Sequence, residues 1–143
     1  MFNVAITTFA LRKIEEHTSK PYEQIGFLIG ELTQEGLLIR NAFCGEGDAN
    51  GSCSIMSTVS LARIADDIVN GRINGKIVGW YHSHIGAGVF MSETDIQTQL
   101  RLQQFSPHVV ALVIDNVAKE FGVFSYDPHQ GLVQIPEDYI RII

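Results

Sequence analysis

Residues 79–95 of this 143-residue chain constrain what it can fold into more than any other stretch. They read Gly79-Trp80-Tyr81-His82-Ser83-His84-Ile85-Gly86-Ala87-Gly88-Val89-Phe90-Met91-Ser92-Glu93-Thr94-Asp95. The apolar run over 76–82 predicts a central strand, and in a strand residues two apart share a face. His82 and His84 therefore project together, at a separation one metal ion can bridge. Ser92 opens a predicted helix, on which Ser92 and Asp95, three apart, also share a face. The small, glycine-bearing run 85–88 lets the chain turn back and carry Asp95 to the histidines. Two histidines and one aspartate leave a fourth tetrahedral position open, as catalytic zinc sites do, and zinc there lowers the pKa of water to about 7. That water needs a general base. Glu23, just before a buried strand, is the best placed, although spacing alone does not select it over Glu31 or Glu93.

The rest of the chain reads as strands and helices gathered around that stretch. Thr7 or Thr8 caps a predicted helix running to about Lys20, with Phe9, Ala10 and Ile14 on one face and Arg12, Lys13, Glu15 and Glu16 on the other. Pro21 stops it. Residues 24–32 are too short and too apolar for anything but a buried strand, and Thr33-Gln34-Glu35-Gly36 turns it into a second strand over 37–43. Residues 45–57 are polar and glycine-rich and predict an exposed loop. Ser57 or Thr58 then opens a helix over 59–70, with Leu61, Ile64, Ala65 and Ile68 on one face. A third helix over 93–104 ends before Pro107. Strands over 109–114, 120–126 and 132–135 follow, separated by turns at Asp115-Asn116 and 127–131. With no repeats or linkers, this mixture predicts one α/β domain with a mixed sheet over 1–143.

Composition removes several function classes. The chain is too short for a TIM barrel, which excludes the HxH metal hydrolases built on that fold. A formal net charge of −6 gives no basic face for nucleic acid. No apolar run approaches the roughly 20 residues of a membrane span, and residues 1–6 show no signal-peptide pattern. Cys44 and Cys53 form no CxxC; their spacing permits a disulfide, but one pair is weak support for secretion. The expectation is a cytoplasmic protein with reduced cysteines that binds neither nucleic acid nor membrane.

Glu23-Gln24-Ile25-Gly26, then His82-Ser83-His84, seven residues, Ser92, two residues and Asp95 match without a gap the signature of the JAMM (MPN+) metalloproteases, which the chain resembles over essentially its whole length. The runs 78–84 and 95–99 are similar to the deubiquitinating subunit of the proteasome lid. The resemblance implies the MPN (JAMM) fold, a mixed, mostly antiparallel sheet with flanking helices, cytidine-deaminase-like. It implies one Zn2+ per domain held by His82, His84 and Asp95. Glu23 would take a proton from the attacking water and pass it to the leaving amine, and Ser92 would donate to the oxyanion. The implied reaction is cleavage after the C-terminal Gly-Gly of ubiquitin or ubiquitin-like modifiers, deubiquitinase-like or desampylase-like. Implied partners are those modifiers and their conjugates, proteasome-linked proteins, and a second copy or another MPN domain. Ile85 stands where the family commonly has proline, and residues 114–126 leave no room for the long second insertion of proteasomal and endosomal relatives. Ile85 would loosen the loop but removes no ligand, and the missing insertion points to a compact enzyme for prokaryotic, archaeal ubiquitin-like modifiers. Loop 45–57 corresponds to a segment expected to order against an extended Gly-Gly tail.

Each residue also has a plainer reading. A lone histidine on an apolar strand is more often structural, Ser92 with Asp95 is by itself a helix cap, and Glu23 alone is a solvated acid. Such a reading must explain all five residues independently, so the joint pattern favours the metal site. His17, His108 and His129 read as surface or packing residues, and Gly26 and Gly30 as points of close strand packing. The HxE and PCxxC pattern of zinc deaminases is absent. Two other functions stay open to the sequence: a non-catalytic MPN scaffold, and a zinc hydrolase processing a sulfur-carrier protein or a small substrate.

Overall fold

Apolar segments that lack polar alternation must be covered on both faces, so they collect at the centre of one sheet. The computed structural model describes residues 3–44, 58–104, 106 and 108–143, and side chains within α2 from Leu61 onward. In chain order the elements are β1 (Asn3–Ile6), α1 (Thr8–His17), β2 (Ile25–Thr33), β3 (Gly36–Cys44), α2 (Thr58–Val69), β4 (Lys76–His84), α3 (Glu93–Gln103), β5 (Val110–Asp115), β6 (Glu120–Asp127), β7 (Gly131–Gln134) and β8 (Ile140–Ile142). The strands form one eight-stranded sheet ordered β7-β6-β5-β4-β2-β3-β1-β8. Pairs β2–β3, β2–β4, β5–β6 and β6–β7 are antiparallel, whereas β1–β3, β1–β8 and β4–β5 are parallel. This is the mixed sheet with flanking helices expected from the sequence.

The connectivity forces the sheet to curl. β7 and β8 lie at its opposite edges, yet only the stretch from Gln134 to Ile140 joins them, through a 3-10 turn at Glu137–Tyr139. Seven steps across a flat sheet would span about 34 Å, and six Cα steps reach about 21 Å at most. The sheet therefore closes into a half-barrel, and Ile135 and Ile140 join the same apolar cluster as Ile6, Ile14, Leu28 and Leu112. A second cluster, with Trp80, Met91, Leu102, Val113 and Phe124, lies beside α3. Ile64 of α2 covers Phe27 and Ile29.

Local chemistry sets the helix ends. Thr7 caps α1, its hydroxyl oxygen accepting the Ala10 N–H at 3.1 Å. The helix stops at His17 rather than near Lys20 because Ser19 takes the Glu16 carbonyl with both its N–H and its hydroxyl, at 3.4 and 2.8 Å. His17 is a packing residue: its Nδ1 lies 2.7 Å from the buried Tyr81 hydroxyl. Burial, then the nearby Lys13, holds its pKa below the usual value and favours the neutral ring.

Three features differ from the sequence reading. β1 and β8 have four and three residues, too few to show a periodicity, and both are held by distant parallel pairing. β4 continues through His84 instead of ending at His82. Cys44 is disulfide-bonded rather than reduced; spacing permits but does not dictate this, because a disulfide needs a second sulfur delivered by the fold. The chain's other cysteine, Cys53, the predicted loop 45–57 with its Ser57 cap, and Pro107 lie outside the described residues.

Gly26 and Gly30 do mark close packing. β2 shifts register between Ile29 and Gly30 against β3, and between Leu28 and Ile29 against β4. A Cβ on Gly30 would overlap the Leu38 carbonyl oxygen, and one on Gly26 the Tyr81 ring. Gly30→Ala is expected to lower the unfolding free energy by about 3 kcal/mol, read by denaturant titration, and a loss under about 0.5 kcal/mol would overturn the steric account.

Candidate metal centre

The alternation of β4 sends Trp80, His82 and His84 to the side covered by α3, and Tyr81 and Ser83 to the other. Trp80 and His82 stack with ring centroids 6.0 Å apart, and His82 meets His84 edge to face at 5.0 Å. The distant acid arrives through strand register. β2 runs antiparallel to β4 with Ile25 opposite His82, so the chain just before β2 passes the end of β4. There the Gln24 N–H donates to the Ser83 hydroxyl oxygen at 2.7 Å, and the Ser83 N–H donates to the Gln24 carbonyl at 3.0 Å. This two-bond staple leaves Glu23 Oε2 3.5 Å from His82 Nε2, with the Glu23 side chain 60% exposed. Ligand-type atoms of Glu23, His82 and His84 all lie within 4.8 Å of one another.

Asp95 approaches from α3. It forms a capping box with Ser92: the Asp95 N–H donates to Ser92 Oγ at 3.1 Å, and the Ser92 N–H donates to Asp95 Oδ2 at 3.0 Å. The plain helix-cap reading of this pair is thus realised, and yet the same carboxylate faces both histidines. Asp95 Oδ1 lies 2.8 Å from His82 Nδ1, and Oδ2 lies 3.4 Å from His84 Nε2. Burial opposes ionisation of Asp95, but His82 and the Ser92 N–H outweigh it and bring its pKa to about 2. Burial likewise opposes protonation of His82, and there Asp95 and then Glu23 prevail, leaving its pKa above the ordinary value.

The structure thus brings together two overlapping sets, Glu23-His82-His84 and His82-His84-Asp95, and Ser92 reaches the second through its cap. His84 Nδ1 is buried with no hydrogen-bond partner, whereas His82 Nδ1, though out of hydrogen-bond alignment, is met by the Asp95 carboxylate at 2.8 Å. A buried polar atom left unpaired costs about 1–3 kcal/mol, a cost that His84 Nδ1 bears in this arrangement. Imidazole and carboxylate donors in this number suit Zn2+. His108 and His129 are exposed and stand apart from the cluster.

Sequence reasoning missed the residues that hold this arrangement in place. Ser83 staples Glu23's neighbour; its position inside His-x-His, on the opposite strand face, was a usable signal. Gln99 lies one helical turn beyond Asp95 and is fully buried. Its side-chain oxygen accepts the Trp80 indole N–H at 2.7 Å, while its amide donates to the Val109 carbonyl at 2.7 Å and to Gln103 Oε1 at 2.6 Å. Gln103 in turn bonds both backbone groups of Tyr126. Glutamine on the buried face of a helix gave a signal, but its partners outside the helix, Trp80 of β4 and Val109 just before β5, are brought to it by the fold.

Residues 2–108 match the model of the JAB1/Mov34/MPN/PAD-1 ubiquitin protease family. The chain is 31% identical over 123 residues to a 26S proteasome regulatory subunit RPN11 of Candida glabrata, covering 83% of this chain and 40% of that protein. It is 30% identical over 123 residues, with the same coverage, to the ubiquitin carboxyl-terminal hydrolase RPN11 of Saccharomyces cerevisiae. It is also 34% identical over 126 residues to the NAD(+) hydrolase TcpA of a Theionarchaea archaeon, covering 84% of this chain and 36% of that protein. The chain therefore spans about two fifths of the length of these curated relatives.

Replacing Gln99 with leucine keeps the volume but strands the Trp80 indole N–H and the Val109 carbonyl. Stability is expected to fall by about 2 kcal/mol or more in denaturant titration. Gln103→Leu, whose bonds are only half-buried, should cost less, and the reverse order would overturn the assignment of Gln99 as the anchor of α3.

Proposed function

The chain belongs to the JAB1/Mov34/MPN/PAD-1 ubiquitin protease family, and from that membership we propose that it is a zinc-dependent hydrolase cleaving the peptide or isopeptide bond after the C-terminal Gly-Gly of ubiquitin or a ubiquitin-like modifier. The observation that carries the proposal is the convergence of four ligand-type side chains: atoms of Glu23, His82 and His84 lie within 4.8 Å of one another, and Asp95 lies 2.8 Å from His82 and 3.4 Å from His84. In this reading His82, His84 and Asp95 hold Zn2+, and residues 1–143 form one catalytic domain. Bound zinc supplies Lewis acidity and lowers the pKa of water at the site to about 7.

The remaining roles belong to the chain's own groups. Glu23 Oε2 lies beside His82 on a largely exposed side chain, so it can take a proton from water and release it to the departing amine. A base that also serves as the acid in this way contributes about 10²–10⁴-fold. Ser92 Oγ accepts the Asp95 N–H, and its O–H, which bonds the Asp95 carboxylate in this state, can turn to donate to the oxygen that gains charge during attack. Asp95 is kept ionised by His82 and the Ser92 N–H, the state in which a carboxylate can bind a cation.

The proposed partners are modifier conjugates and proteasome-linked proteins, with pairing to a second MPN domain or copy, in the cytoplasmic setting expected from the sequence. Among the described residues no helix is long and apolar enough to cross a membrane. The relative named as an NAD(+) hydrolase matches over 36% of its own length, so its printed activity need not reside in the matched part.

Incubation with modifiers linked through Gly-Gly, with and without a chelator, tests the proposal. The wild type should bind zinc and cleave, and the chelator should stop cleavage. Glu23→Gln should keep its zinc and lose at least about 100-fold in kcat. His84→Ala should lose zinc and cleavage together, seen by metal analysis. Zinc binding without cleavage of any such substrate would shift the reading to a scaffold or to a sulfur-carrier or small-molecule hydrolase. Full activity in Glu23→Gln would remove Glu23 as the base.

A further inference from the structure

Asp115 closes β5 directly beside His84, its partner in the parallel β4–β5 register. It is 1% exposed, and among the described residues no cation pairs with it. Its charge is met by backbone instead. Oδ1 accepts the N–H groups of Gly86, Val117 and Ala118 at 3.0, 3.0 and 3.2 Å, and Oδ2 accepts that of Gly88 at 2.8 Å. One carboxylate therefore ties together two loops: residues 85–91, which link His84 to Ser92, and the β5–β6 turn.

The glycines are built for this clamp. Gly86 and Gly88 have φ of 72° and 93°, and a Cβ on either would meet nothing within 4 Å. Backbone conformation, not crowding, is what requires glycine there. The ends of loop 85–91 are secured by packing, since His84 and Met91 are buried. Between them, the hydrogen bonds that join the loop to the rest of the described protein are the two to Asp115. The two clamped loops expose Ile85, Phe90 and Val117, and Phe90 lies edge-on to His84 with centroids 4.4 Å apart. An apolar lip thus borders the candidate metal centre.

We propose that Asp115 is a positioning residue that fuses loop 85–91 and the β5–β6 turn into one rigid lip, and that this lip seats an apolar segment of the protein substrate. The second clause rests on the protein-cleavage reading above. A pre-ordered lip spares the substrate the cost of ordering two loops, so its loss weakens binding more than turnover. The metal cluster stands on other supports, β4 and the Gln99-anchored α3, so its affinity for zinc is independent of the clamp.

The test compares Asp115→Ala, Asp115→Asn and Val117→Ser with wild type in the full chain. It reads amide exchange at 85–91 and 116–119, zinc affinity by chelator competition, and kcat and KM on a Gly-Gly-linked modifier fusion. Asp115→Ala should speed exchange in both loops together and raise KM about tenfold, a loss of about 1.4 kcal/mol. Its kcat and zinc affinity should stay within about threefold of wild type, a change below about 0.7 kcal/mol. Asp115→Asn, which keeps one acceptor oxygen, should fall between. Val117→Ser should raise KM with exchange unchanged, and these last two variants carry the test if the alanine variant does not fold. Exchange that rises in one loop only or in neither, a parallel loss of zinc, or a fall in kcat at constant KM would overturn the proposal. If wild type cleaves no Gly-Gly substrate, the cleavage reading and the seating clause fall together, while paired exchange in the two loops still decides whether Asp115 is the clamp.

Discussion

The antiparallel register between β2 and β4 is the constraint on which the site depends. With Ile25 opposite His82, the residues before β2 pass the end of the strand that carries both histidines, and the Gln24–Ser83 bonds hold them there. A one-residue slip would turn every side chain of β4 to the opposite face, sending His82 and His84 away from α3. That slip is blocked by what β4 buries. Trp80 and Tyr81 are fully buried on opposite sides of the sheet, one bonded to Gln99 and the other to His17.

Around this strand the protein uses buried polar groups as fasteners, each fully partnered. Gln99 holds α3, Ser83 holds the segment before β2, and Asp115 holds the two loops beyond the strand ends. Satisfied polar networks specify one arrangement, because any shift leaves a buried donor or acceptor unpaired. His84 Nδ1, buried without a hydrogen-bond partner, is the exception. Glu23 needs no strand of its own, because one backbone–side-chain and one backbone–backbone bond between Gln24 and Ser83 fix the residue beside it.

Most of the internal elements were legible in the sequence because their signals are local. The hairpin of β2 and β3 followed from two apolar runs flanking a four-residue turn, and α1 and α3 from Thr7 and Ser92 as caps. β1 and β8 were not legible, since neither is long enough to alternate and both gain their partners from remote parts of the chain. The disulfide state of Cys44 was not legible either, because cysteine spacing permits a bond without dictating one.

For the candidate site, the sequence by itself determined the donor types and their two short spacings. His82 with His84 and Ser92 with Asp95 are local pairs whose common faces follow from strand and helix periodicity. Glu23 was the best-placed acid by its position before a buried strand; spacing alone did not select it over Glu31 or Glu93, and the motif resemblance singled it out. Only the tertiary structure decided that Glu23 stands beside His82, that Asp95 faces both histidines while capping α3, and that Ser83 and Gln99 hold these parts in place. Periodicity acts over a few residues, whereas these contacts depend on strand order, register and the curl of the sheet, which arise only when segments far apart in the chain pack together.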